Sequence, residues 1–189
     1  YGVEQDMALV ADETDPLSGL SVQSLYGTDA SSLAPSPTLL NGIDNLVFDI
    51  QDIGSRYYTF IYTLANCMKT CAISNTRMIV CDRPNPINGV AVEGNLVKKK
   101  FQSFVGQYPI PNRHGMTVGE LAVLFNEYFG IKCDLKVIPM EGWERSMWYD
   151  QTGLPWVSPS PNMPTLSTAT VYPGMCLIEG TLLSEGRGT

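Results

Sequence analysis

The chain has 189 residues, 44% of them apolar, enough to bury one sizeable core and near the upper end of an ordinary single domain. Twelve Lys and Arg stand against 19 Asp and Glu, and the formal charge of −7 sets nucleic acid and other polyanions aside as partners. No run of about 18 uninterrupted apolar residues occurs, so this piece carries no membrane span, and neither a CxxC pair nor a second His is present to build a structural zinc site.

Strand-length apolar runs alternate with longer segments of helical period, the pattern of an α/β fold with a largely parallel sheet flanked by helices. Leu20 to Tyr26 alternates and stops at Gly27, and Asn45 to Ile50 is apolar throughout its middle; both are expected to be interior strands, the second covered on both faces. From Ser55 to Ile73 the positions Tyr58, Ile61, Tyr62, Ala65, Met68 and Ala72 recur at threes and fours and predict a helix with one core-facing stripe. Cys67 and Cys71 lie one turn apart on it and are read as buried free thiols.

Met78 to Cys81 is the next short strand, and the two prolines of Asp82-Arg83-Pro84-Asn85-Pro86-Ile87-Asn88-Gly89 then enforce a structured loop. Lys98 to Lys100 is a solvated basic run. Thr117 and Glu120 form a capping box that starts a helix through Leu121, Leu124, Phe125 and Tyr128, stopped at Gly130. Leu135 to Ile138 reads as a strand, Leu154 to Pro164 as a long proline-stiffened loop, and Thr165 as the cap of a short helix. Met175 to Ile178 is expected to be a strand leading into Glu179-Gly180-Thr181.

In a parallel sheet the carboxyl ends of the strands share one edge, so the polar segments after three expected strands should meet in one crevice. These supply Gln51, Asp52 and Arg56, then Arg83 and Asn85, then Glu179. Carboxylates, amides and guanidinium groups, with Tyr57, Tyr58 and Trp156 nearby, suit a hydroxyl-rich ligand. Each also has a plainer use: Asp49 and Asp52 as helix caps, Arg83 as the local partner of Asp82, His114 as packing at a helix start, and the Ser158 to Pro164 run as a stiff connector rather than a holder of Asn162. Glu179 and Glu185 flank Gly180 and Gly186, where the backbone can approach a ligand closely, and Arg187 adds a planar fork for a carboxylate. A phosphate-binding glycine loop and a serine-hydrolase elbow are both missing, which removes kinase-like and serine-hydrolase readings.

The ordered set SLYG (24–27), FDIQDIGSRYYT (48–59), DRPNPING (82–89), VEG (92–94), RHGMTVGELA (113–122), PWVSPSPNMP (155–164), YPG (172–174) and EGTLLSEGRGT (179–189) resembles the NamZ-like exo-β-N-acetylmuramidases, glycoside hydrolase family 171, formerly a domain of unknown function. The resemblance implies a Rossmann-like amino-terminal catalytic domain, most of which would be residues 1–189 with both ends cut, and a smaller carboxyl-terminal domain outside this chain. It implies a secreted or periplasmic hydrolase without a cofactor or metal, acting on a peptidoglycan-derived sugar or muropeptide. The family's proposed catalytic Glu sits in a Glu-His-Gly motif whose last two positions fall on Tyr1-Gly2, which puts the Glu immediately before this chain.

Glu185, Asp52 and His114 are then the candidates for the second catalytic role. Gln51, Arg56, Arg83, Asn85, Arg113, Asn162, Glu179 and Arg187 are candidates for substrate binding, with Arg83, Arg113 or Arg187 gripping the lactyl carboxylate of muramic acid. Two rivals stand beside this reading: a hydrolase of another amino-sugar end, and a non-catalytic glycan-binding relative.

Overall fold

The computed structural model describes residues 11–27 and 30–183 and builds its main layer by parallel strand pairing. The short strands β1 (Glu13–Thr14) and β2 (Ser21–Val22) pair only with each other, antiparallel. The expected interior strand at Leu20 to Tyr26 is thus reduced to two residues of a surface ribbon, with Leu20 67% exposed. Alternation there had no neighbouring strand to pair with in the main sheet.

That sheet holds β3 (Asn45–Phe48), β4 (Arg77–Cys81) and β5 (Leu135–Ile138), all parallel, in the order β3-β4-β5. Register places Leu46, Met78 and Leu135 in one row and Phe48, Val80 and Val137 in the next, and both rows face the principal core. The pleat sends Val47 to the opposite face, where it is 57% exposed. So β3 is an edge strand covered on one face, not two; an unbroken apolar run does not by itself distinguish these cases.

The core over those rows is made by α1 (Phe60–Ser74) and α2 (Val118–Val123). On α1 the stripe Ile61, Tyr62, Ala65 and Met68 is fully buried, as its spacing predicts. The helix begins at Phe60 instead of Ser55, because Ser55 makes a β-bridge with Arg113 and the Arg56 N–H donates to the Asn112 carbonyl at 2.8 Å. A long-range pairing here overrides local helical preference. At the far end Asn75, with φ +52, closes the helix through its N–H to the Cys71 carbonyl.

The capping box of α2 is formed: Glu120 N–H donates to Thr117 Oγ1 at 3.2 Å and Thr117 N–H to Glu120 Oε2 at 3.0 Å. Beyond Val123 the helix widens into a π-turn over Leu124–Tyr128 before Gly130 at φ +77. Buried Asn126 in that turn binds both the N–H and the carbonyl of Cys133, tying the helix end to the approach of β5.

Leu154 to Pro164 contains no regular element, yet Met163 is buried and Trp156 Nε1 donates to its carbonyl at 3.1 Å. Together with Ile53, Tyr58, Ile87 and Ala169 this methionine forms a second, smaller core. Thr165 caps α3 (Leu166–Met175) as expected. The strand expected at Met175 to Ile178 is not formed: the chain continues from α3 into a 3-10 turn, Cys176–Gly180, whose first N–H returns to the Tyr172 and Gly174 carbonyls. A four-residue apolar run carries no period long enough to separate the two outcomes.

Candidate functional site

The segments that leave β3, β4 and β5 do share one rim. A cleft of about 390 Å³ is lined there by Asp49, Asp82, Arg83, Met140, Glu141 and Trp143, among others, so all three strands contribute. A second compartment of about 340 Å³, whose lining includes Gln51, Phe60, Val157 and Ser158, shares Asp49 and Arg83 with the first. The Asp49 and Arg83 pair borders both: Arg83 Nε donates to Asp49 Oδ1 at 2.7 Å, with the Arg83 side chain 35% and the Asp49 side chain 53% exposed. Asp49 therefore faces Arg83 across the rim and does not cap α1.

Asp82 lines the cleft, but its carboxylate is held at the start of α2. Its carboxylate accepts from the Gly119 N–H at 2.7 Å, the Arg83 N–H at 2.9 Å and the Thr117 hydroxyl at 3.0 Å. Burial, the largest influence, raises its pKa, while these hydrogen bonds pull the other way. The approach requires glycine at 119, since a Cβ there would lie 2.7 Å from Asp82 Cγ and from Val137 Cγ1.

Asp52 and His114 meet, but inside the protein, where their side chains are 5% and 0% exposed. His114 Nδ1 accepts the Met116 N–H at 3.1 Å; a neutral ring then carries its proton on Nε2, which donates to Asp52 Oδ2 at 3.1 Å. The same oxygen accepts the Gly54 N–H at 2.8 Å, and Oδ1 has no hydrogen-bond partner among the described residues. Asn85, 2% exposed, extends the network by donating to the Met116 carbonyl at 2.9 Å and accepting from the Ile87 N–H at 3.1 Å. One buried lock thus joins the turn after β3, the DRPNP loop and the lead-in to α2. Gly54 fits its centre at φ +80, where an added Cβ would lie 2.5 Å from Asn85 Oδ1. Asp52, His114 and Asn85, expected at the crevice, are buried beneath the polar loops.

Two expected arginines are likewise turned inward. Arg56 donates through Nη1 to the Ile110 carbonyl at 2.8 Å and to the Asn95 carbonyl, and it is 7% exposed. Arg113 pairs with Glu93 at 2.8 Å, donates to the Ile87 carbonyl and packs over the Trp148 ring at 5.6 Å. Both fasten backbone rather than face the clefts. Gln51 bridges two loops by donating to the Asp52 and Pro84 carbonyls at 2.6 and 2.8 Å, while also lining the smaller compartment. Asn162 is half-buried in the proline-rich loop, and Glu179 lies exposed on the 3-10 turn after α3. Glu185 and Arg187 fall outside the described residues.

Sequence reasoning missed Trp143, Glu141 and Arg145. Arg145 binds the Gly115 carbonyl at 2.9 Å, the Gly89 carbonyl at 3.2 Å and Glu120, fixing the exit of the DRPNPING loop. Applying the strand-end rule to β5 as well as to its neighbours would have singled out 140–145.

These features define an α/β fold with a cleft at the carboxyl ends of its parallel strands, the place where such folds bind ligands. Among the described residues no group of His, Cys, Asp and Glu is arranged to hold a metal, and no helix is long and apolar enough to cross a membrane. The family model for the N-terminal part of the exo-β-N-acetylmuramidase NamZ matches residues 1–167, and the chain belongs to that family. It is 49% identical over 193 aligned residues to the peptidoglycan β-N-acetylmuramidase NamZ of Bacillus subtilis (strain 168), in a match that covers 100% of this chain and 46% of that protein. Two crystal structures of DUF1343 family proteins from Bacteroides fragilis NCTC 9343 share the fold. One has a TM-score of 0.83 at 44% identity, covering 88% of this chain and 43% of its own. The other has a TM-score of 0.78 at 35% identity, covering 89% and 45%. The chain thus spans about half the length of the relatives it matches.

Proposed function

We propose that this chain is most of the amino-terminal, Rossmann-like domain of an exo-acting glycosidase that releases terminal β-1,4-linked N-acetylmuramic acid from peptidoglycan fragments. The observation that carries the reading is 49% identity, across the whole chain, to a peptidoglycan β-N-acetylmuramidase. The rim cleft supports it, because about 390 Å³ lies within the size range of small-ligand sites and its wall combines Trp143 with carboxylates. Peptidoglycan lies outside the cytoplasmic membrane, so the same reading makes the protein secreted or periplasmic.

Cleavage of a glycosidic bond requires a proton donor and a second group that stabilises or attacks the sugar. In this proposal the donor is the Glu expected just before Tyr1, and Glu185 is the remaining candidate for the second role. Asp52 and His114 act one step back: by fixing the Gly54 and Met116 backbone they hold the loops that carry Gln51 and Arg83 at the rim. Such positioning matters because displacing a reacting group by about 1 Å can cost on the order of 100-fold in rate.

The test is to incubate the complete protein with chromogenic β-glycosides of N-acetylmuramic acid and of N-acetylglucosamine. Release from the first and not the second is expected. Release from the second alone moves the protein to another amino-sugar end, and release from neither leaves a glycan-binding relative.

A further inference from the structure

Among the described residues Arg83 is the one arginine that lines both rim compartments, and its surroundings prepare it for an anion. Its backbone is fixed from both sides: its own N–H donates to Asp82, Pro84 follows with its carbonyl held by Gln51, and Asn85 is locked to Met116. The side chain is anchored only through Nε on Asp49, while Nη1 and Nη2 make no hydrogen bond among the described residues. A guanidinium tethered at Nε keeps its outer edge, two parallel N–H donors, free for a carboxylate. Neighbouring acids do not cancel that role. Asp49 is the tether itself, the Asp82 carboxylate is engaged by the Arg83 N–H and by Thr117 and Gly119 at the start of α2, and Glu141 lines the larger compartment but not the Phe60 side. The smaller compartment offers apolar walls from Phe60, Val157 and Pro159 beside polar Gln51 and Ser158.

We infer that Arg83, aimed by Asp49, is the residue that reads the free carboxylate of an acidic amino sugar, with the sugar ring in the Trp143 compartment and its acid-bearing substituent on the Phe60 side. This rests on the reading that the substrate ends in N-acetylmuramic acid, whose lactyl ether combines a methyl group with a carboxylate. Arg56 and Arg113 are unsuited to that task because neither lines the two rim compartments, Arg56 being held through Nη1 on the Asn95 and Ile110 carbonyls and Arg113 through Nη1 and Nη2 on Glu93 and the Ile87 carbonyl. Arg83 is a specificity residue: it binds a group remote from the bond that breaks.

The experiment compares N-acetylmuramic acid with its lactyl amide, in binding by calorimetry and in hydrolysis of the corresponding chromogenic β-glycosides, using the complete protein. The wild type is expected to favour the free acid by roughly 10- to 100-fold, the range for hydrogen bonds to a charged group, mainly through KM. Arg83→Gln should bring that ratio close to one, Arg83→Lys should keep part of it, and Asp49→Asn should reduce it less than Arg83→Gln does. Thermal unfolding checks that each variant is folded. A folded Arg83→Gln protein with an undiminished preference overturns the assignment, as does a wild type that binds acid and amide equally or binds neither. A wild type that binds the acid selectively through Arg83 but hydrolyses nothing leaves the assignment standing and removes the proposed activity.

Discussion

The rim and the lock beneath it use the same chemical vocabulary to opposite ends. At the rim an aspartate and an arginine, Asp49 and Arg83, meet in partial solvent, with the guanidinium engaged only through Nε among the described residues. Three residues after Asp49 and 31 after Arg83, a second acid and base, Asp52 and His114, are closed away from water, each accepting a backbone N–H. Residue type does not separate these uses; burial does. An exposed pair contributes little to stability and is free to exchange partners, whereas a buried acceptor removed from its donors leaves them without water to replace it.

The sharpest way to break this contrast is to crowd the lock. Gly54→Ala forces a Cβ into Asn85 Oδ1 and Ile87 at a left-handed φ, and it should cost about 3–5 kcal/mol in denaturant unfolding, from backbone strain added to overpacking. Next in size is Asp52→Ala, which strands the Gly54 N–H and His114 Nε2–H in a dry interior; about 2–4 kcal/mol is expected by the same measurement. The rim counterpart, Arg83→Gln, should fall within about 1 kcal/mol of the wild type, as for other partly exposed ion pairs. If the three losses were alike, the division into lock and rim would be wrong.

A smaller effect concerns pH. Asp82 has a folded-state pKa above its ordinary value of 3.8, chiefly through burial. Between that value and the raised one the folded protein holds the proton more tightly than the unfolded chain, so stability from this group falls as pH rises through the window and is level above it. Relative to Asp82→Asn, the wild type should therefore gain stability on acidification toward pH 3.8, read from unfolding free energies of both proteins across that range.

Much of the scaffold was legible because its signals are local. The α1 stripe from Ile61 to Met68, the Thr117 and Glu120 capping box, the Thr165 cap and the Leu135 to Ile138 strand all depend on spacing within a few residues. The misreadings share one cause: each needed a partner distant in sequence. Leu20 to Tyr26 lacked a neighbour in the main sheet, the Ser55 start of the helix was taken by Arg113, and Met175 to Ile178 continued a helix already under way. Strand-end reasoning led to the rim that Arg83 lines, but it could not distinguish exposed Asp49 from buried Asp52, since both follow β3 within four residues.

By itself the sequence determined that this protein is an α/β chain whose polar segments follow its parallel strands, because hydrophobic period and turn chemistry act over short distances. Its ordered motifs also marked the NamZ family, whose model matches residues 1–167. Which of the polar side chains stay open to solvent was decided only by tertiary structure. Loops folding over one another set the local access to water, and that access makes Asp52 and His114 a fastening while leaving Arg83 an open fork.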